Sequence, residues 1–325
     1  MTHSSYGIEL IETYLPGVII TADELASKFG FDPEFIINKI GVKQLYIAED
    51  QETTSDLAVQ AMEKLLEKNP LLRTEIDILI VCTQTPDFQL PQMSALIQSR
   101  CKLPRQMAAF DINLGCSGFA YGVSILESFL LRNGMNSGVL ITAETYSKII
   151  NPKDRNTKPL FSDAASATLI SRQGRVRLGS FKFGTNGDQF GALIAKRPEE
   201  GLSPQLFMDG RKVFEFVIST IPGEVRSTCV ANDVELDDID YFVFHQASKF
   251  VLDTLAQKLG ISDTNRVINT LGQYGNTISS SIPMALKDTL ALHGKRDLKL
   301  LISGFGVGLS WGTAVISTEG DCSNV

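Results

Sequence analysis

The sequence predicts an α/β protein made of two similar halves packed into one five-layered αβαβα body. Short β-branched apolar runs alternate with amphipathic helical segments along the 325 residues, the pattern of parallel sheets wound with crossover helices. Three segments of the first half recur in the second at nearly one offset, about half the chain. The run from Ile76 to Gln84 is echoed by Ile239 to Gln246, the turn at Cys116 by the turn at Asn276, and Val139–Ala143 by Leu300–Gly304. Residues 172–205, rich in Gly, Lys, Arg and Glu, read as an inserted hairpin and loop, which sets the halves at 1–172 and 173–325.

Taken in order, residues 6–47 form a β-rich start with a helix from Ala22 to Phe29, capped by Thr21 and stopped by Gly30, and a second short helix after Asp32-Pro33. Thr54 to Lys68 is a helix capped by Thr53 or Thr54, with Leu57, Ala58, Ala61 and Leu65 as its apolar face. Ile76 to Gln84 is a buried strand and Met93 to Cys101 a helix. Met107 to Phe110 is the next strand, and the Gly115–Gly118 turn feeds a helix whose Phe119, Val123, Leu126 and Leu130 recur at helical spacing. Strands at Val139–Ala143 and Ala165–Ser171 complete the first half. The second half repeats the scheme with a strand ending at His245, a helix from Phe250 to Leu259, an apolar segment running to Leu292, and strands at Leu300–Gly304 and Gly312–Ser317.

Composition excludes several classes. A net charge of −7 argues against sequence-independent nucleic-acid binding, which needs a basic face. No apolar run approaches the roughly 18 residues of a membrane span, and the first residues carry neither a basic nor an apolar targeting region, so a cytoplasmic location is expected. The five cysteines are scattered without paired metal-ligand spacing, which suits free thiols and no metal.

Cys116 lies where the helix opens. Free N–H groups and the positive dipole end there stabilise an anion, so its thiol is expected to ionise below the ordinary value of about 8.5. His245 and Asn276 end corresponding segments of the duplicated plan, and open sheets bind ligands at the carboxyl ends of their strands. The three therefore share one pocket. His3 and His293 lie outside this pattern. A Cys-His-Asn order also describes papain-like proteases, but the sequence around the cysteine and the duplicated plan do not fit them.

The stretches Asp111–Gly118, His245–Ala247, Gly275–Thr277 with Ser281–Pro283, and Gly304–Gly312 together resemble the β-ketoacyl-acyl-carrier-protein synthase III family of thiolase-fold condensing enzymes, over nearly the whole chain. The resemblance implies that Cys116 takes an acyl group from a thioester, its oxyanion held by the amides of Cys116 and Gly306. It also implies that His245 and Asn276 hydrogen-bond the enolate formed when a malonyl thioester loses CO2, with Phe305 walling the thiolate. Coenzyme A or acyl-carrier-protein thioesters would be substrates, with no resident cofactor. The family's coenzyme-A-stacking tryptophan and nearby arginine become Phe35 and Lys39, and its carrier-docking Asn and Arg become Ser248 and Phe250, leaving Lys249, Arg211 and Lys212 as candidate docking cations. Such departures point to a specialised starter or acceptor. A homodimer is implied, with Leu90 of one subunit reaching the other's acyl tunnel. Acyl transfer to a hydroxyl or amine, and a non-catalytic partner subunit, are the alternatives.

Overall fold

The computed structural model describes residues 6–196 and 205–325; His3 and residues 197–204 of the expected insertion lie outside them. In chain order the strands are β1 (Gly7–Tyr14), β2 (Val18–Thr21), β3 (Gln44–Ile47), β4 (Ile78–Cys82), β5 (Ala108–Ile112), β6 (Ser137–Glu144), β7 (Ala164–Ser171), β8 (Val176–Thr185), β9 (Leu193–Lys196), β10 (Gln205–Met208), β11 (Tyr241–Phe244), β12 (Lys299–Gly306) and β13 (Ser310–Thr318).

Nine strands follow one another in the order β11-β12-β13-β8-β1-β7-β6-β4-β5. They are two sheets meeting edge to edge, since β1 and β8 are joined only through the pairs Gly7–Arg177 and Ile8–Val176. In the first sheet β4 lies parallel between β5 and β6, with β7 antiparallel to β6 and β1 antiparallel to β7. The second repeats this order, with only an isolated bridge in the place of β5. There β11 runs parallel to β12 and to a single bridge at Val267, β13 is antiparallel to β12, and β8 antiparallel to β13.

Two expectations are corrected here. The sheets are mixed: β7 runs antiparallel to β6 and β13 to β12, and in the second sheet the Val307–Leu309 turn is far shorter than the dozen or more residues a parallel crossover requires. Residues 176–185 are not an insertion but a strand of the second sheet. One end of β8 buries Val176 and Leu178, while much of the remainder is exposed or half-buried, so its composition reads as a loop. The inserted hairpin is confined to β9 and β10.

Five layers result. The Thr54–Lys68 and Met93–Arg100 helices cover the outer face of the first sheet, Gly118–Asn133 and Ser281–His293 lie between the sheets, and Gly210–Ala231 and Lys249–Leu259 cover the second. Each helix has a local cause. Thr53 accepts from the Asp56 amide while the Asp56 carboxylate accepts from the Thr53 N–H, a capping box that starts the Thr54–Lys68 helix in front of its buried Leu57, Ala58, Ala61 and Leu65. Gly118–Asn133 buries Phe119, Val123, Leu126 and Leu130 against the central layer and stops at Gly134, whose φ of 64° favours glycine.

Candidate active site

Cys116 follows β5 across Asn113-Leu114-Gly115 and is buried. It does not open the helix as expected: Ser117 is the N-cap and Gly118 the first helical residue, and the Gly118 N–H donates to the Gly115 carbonyl at 2.7 Å. The sulfur is instead faced by its own backbone N–H and that of Val307. The second amide is thus one residue beyond Gly306. Gly306 has a different role, because a Cβ there would sit 2.9 Å from both the Cβ and the Sγ of Cys116.

The expected acidic thiol is also corrected. Burial, with the nearby Glu144 carboxyl adding to it, pushes the Cys116 thiol up to about 12 against the opposing pull of the two amides. The group rests as a thiol. Glu144, at the end of β6, is itself pushed by burial to about 8 although it accepts from the Gln84 N–H, the Thr85 hydroxyl at 2.9 Å and the Ser279 hydroxyl at 3.3 Å.

His245 leaves β11 with its N–H on the Ser303 carbonyl at 2.9 Å. Its Nδ1 lies 2.7 Å from the Ser281 Oγ, and its ring meets Phe305 edge-on at 5.7 Å and 86°. Burial lowers its pKa to about 3, outweighing the Ile278 carbonyl that favours the charged ring. The imidazole is therefore neutral at any ordinary pH. Asn276 is fixed at both ends of its peptide, donating to the Leu160 carbonyl at 3.0 Å and accepting from the Ser162 N–H at 2.8 Å. Its Oδ1 accepts from the Ile278 N–H at 3.0 Å. That bond orients the amide so that Nδ2 is the end left for a ligand, its one internal partner being the Ala247 carbonyl at 3.5 Å.

Cys116, His245, Asn276, Phe305 and Gly306 all line one cavity of about 510 Å³. Its further wall is apolar, from Phe161, Leu193, Met208, Val213 and Val217. Sequence reasoning missed this wall because its residues come from four separate segments with no shared motif. Asn156, Leu160, Ser248 and Phe250 also line a second cavity of about 480 Å³, together with Phe31, Phe35, Lys39 and Arg155. Phe31 stacks on Phe35 at 5.5 Å, and the Arg155 guanidinium lies 4.6 Å from the Phe31 ring centre.

The three candidate docking cations are each matched by an acid within one turn: Arg211 by Glu215 at 2.8 Å, Lys212 by Asp209 at 3.7 Å and Lys249 by Asp253 at 2.5 Å. Arg211 alone of them borders the first cavity. Leu90 is 81% exposed and lines neither cavity.

A duplicated five-layered body that brings a cysteine, a histidine and an asparagine to one cavity is a thiolase-fold condensing-enzyme architecture. Residues 110–187 match the family model for 3-oxoacyl-[acyl-carrier-protein (ACP)] synthase III and residues 229–318 the model for its C-terminal part. The chain is 32% identical to β-ketoacyl-[acyl-carrier-protein] synthase III of Lactococcus lactis subsp. cremoris SK11, covering 94% of this chain and 96% of the relative. It is 33% identical to that of Streptococcus sanguinis SK36, covering 95% and 98%. A crystal structure of 3-oxoacyl-(acyl-carrier protein) synthase from Burkholderia xenovorans LB400 superposes with a TM-score of 0.90 at 32% identity, covering 99% of this chain and 96% of that one. The chain belongs to the β-ketoacyl-acyl-carrier-protein synthase III family.

Proposed function

We propose that this protein joins an acyl group to a malonyl thioester in two stages. In the first, the Cys116 sulfur attacks the thioester carbonyl and the amides of Cys116 and Val307 hold the developing oxyanion. The carbonyl–sulfur bond of the donor breaks, and the proton of the Cys116 thiol ends on the departing thiol. In the second, malonyl thioester loses CO2, and the electron pair left behind is held as an enolate by hydrogen bonds from His245 Nε2 and Asn276 Nδ2. The enolate carbon attacks the acyl-enzyme, the carbonyl–sulfur bond to Cys116 breaks, and the released thiolate takes a proton from solvent. Phe305 supplies the apolar wall that disfavours the malonyl carboxylate and favours its loss.

The observation that carries this reading is the convergence of all three residues on one cavity beside an apolar wall sized for an acyl chain. A neutral, weakly basic His245 suits a hydrogen-bond donor and is a poor base for activating a hydroxyl or amine acceptor. The second cavity is the entry for the carrier half of the thioester. Its Phe31–Phe35 stack and Arg155 offer a flat apolar and cationic surface for the nucleotide end of coenzyme A, and Lys39 a point charge for phosphate. Acyl carrier protein is the alternative donor and the proposed source of malonyl groups. Leu90 reaches the acyl pocket of a second copy in the proposed homodimer. Among the described residues no helix is long and apolar enough to cross a membrane, and the proposed location is the cytoplasm.

Asn276→Ala tests the assignment. It is expected to keep acyl loading of Cys116, read by intact-protein mass, while malonyl decarboxylation falls on the order of 10²–10³-fold. Equal loss of both stages would favour a structural role for Asn276.

A further inference from the structure

His245 has two ring nitrogens, and a neutral imidazole carries a proton on only one of them. The proposed reaction, on which this inference rests, requires that proton on Nε2. Nδ1 must then accept a hydrogen bond. The group at Nδ1 is the Ser281 hydroxyl, 2.7 Å away in a fully enclosed contact between the β11 end and the first turn of the Ser281–His293 helix. The same hydroxyl stands 2.9 Å from the Ile278 carbonyl, so its single proton faces two acceptors. That carbonyl also takes the backbone N–H of Ser281. Turning the hydroxyl toward the ring therefore leaves no buried carbonyl without a donor.

We propose that Ser281 is a positioning residue that donates its hydroxyl proton to His245 Nδ1 and so fixes the Nε2–H tautomer that points into the acyl cavity. The opposite arrangement, Nδ1–H donating to Ser281 and the hydroxyl donating to Ile278, would leave an Nε2 lone pair in the cavity. A lone pair repels an enolate oxygen and would serve a proton-accepting reaction instead. One hydroxyl rotor thus separates decarboxylative condensation from base-assisted acyl transfer.

The test reads the tautomer without reference to turnover. The chain has three histidines, so a His3→Gln, His293→Gln background labelled with [15N]histidine leaves His245 alone. Its 15N signals should show Nε2 protonated and Nδ1 bare, unchanged between about pH 5 and 8. In Ser281→Ala the signals should shift toward Nδ1–H, bonded to the Ile278 carbonyl. Malonyl decarboxylation should fall on the order of 10²-fold with acyl loading of Cys116 within about threefold. Ser281→Thr, which keeps the hydroxyl, should restore both the tautomer and the rate. An Nδ1–H signal in the unsubstituted ring overturns the inference whatever the activity. So does a Ser281→Ala protein that keeps Nε2–H and loses both stages alike, which would mark a packing role. An Nε2–H ring in a protein with no malonyl turnover would uphold the tautomer and overturn the proposed function.

Discussion

Replacing Gly306 with alanine puts a methyl group against the reacting sulfur, and the structure sets the size of the effect. The new Cβ would lie 2.9 Å from both the Cβ and the Sγ of Cys116, where carbon contacts settle at about 3.5–4.0 Å. Roughly 0.6–1 Å of movement is needed. Cys116 has little room to give, since it is buried and its carbonyl packs closely on the Gly304 backbone. The strain therefore displaces the sulfur or the Val307 amide. Overpacking of this kind costs about 1–3 kcal/mol of stability, and a misplacement near 1 Å costs on the order of 10² in rate. Acyl loading from a short acyl-coenzyme A, followed as mass gain on Cys116, should thus slow about a hundredfold in a protein that still melts cooperatively. Gly17→Ala, with nothing within 4 Å of its added Cβ, should leave loading unchanged. A Gly306→Ala protein that loads at the parent rate would refute the close approach on which the oxyanion assignment depends.

Further outcomes follow from charge and packing. With the Cys116 thiol raised to about 12, the reactive thiolate fraction should grow about tenfold per pH unit across pH 6–9. Alkylation of Cys116 by iodoacetamide should rise accordingly, whereas a plateau near pH 7 would show that the two amides facing the sulfur prevail over burial. Asp253→Ala releases Lys249 from its ion pair; reaction with carrier-bound substrate should improve modestly, and the gain should vanish in high salt. If it persists in salt, Lys249 does not face the carrier. Leu90→Phe should shift acyl loading toward short chains, because a methylene of fit is worth about 1–3 kcal/mol in such pockets. An unchanged chain-length profile would remove Leu90 from the tunnel.

The duplicated plan was legible because the repeated strands β4 and β11, and β6 and β12, are buried on both faces and read as unbroken apolar runs. The strand β8 was not, since much of its length is exposed or half-buried. Cys116, His245 and Asn276 were found because each stands in a distinctive short motif, and the cavity brings them together. The protonation of Cys116 differs from the expectation for a physical reason: the turn before a helix is visible in sequence, whereas the burial that outweighs the pull of the two amides depends on Tyr146, Phe161 and Ile278 packed from distant segments. Ser281 lies within the Ser281–Pro283 motif, yet its bond to His245 bridges 36 residues and is visible only in three dimensions. The acids beside Arg211, Lys212 and Lys249 were in plain view at helical spacing and went unweighed.

The seam between the two sheets, only two residue pairs wide, bears on how the chain is made. Strand pairing across this seam contributes little to holding the two sheets together; the central helices bind them, and the Ser281–His293 helix packs on β1 and β7 as well as on β11 and β12. During synthesis the first sheet emerges long before that helix. Until then the inner face of β1, with Ile8 and Ile11 destined for full burial, lacks the cover that the Ser281–His293 helix gives it. The nascent protein therefore carries an adhesive apolar surface through the translation of most of its second half, the circumstance in which chains depend on chaperones. Release of a product truncated before Ser281 should yield aggregates rather than a smaller folded unit.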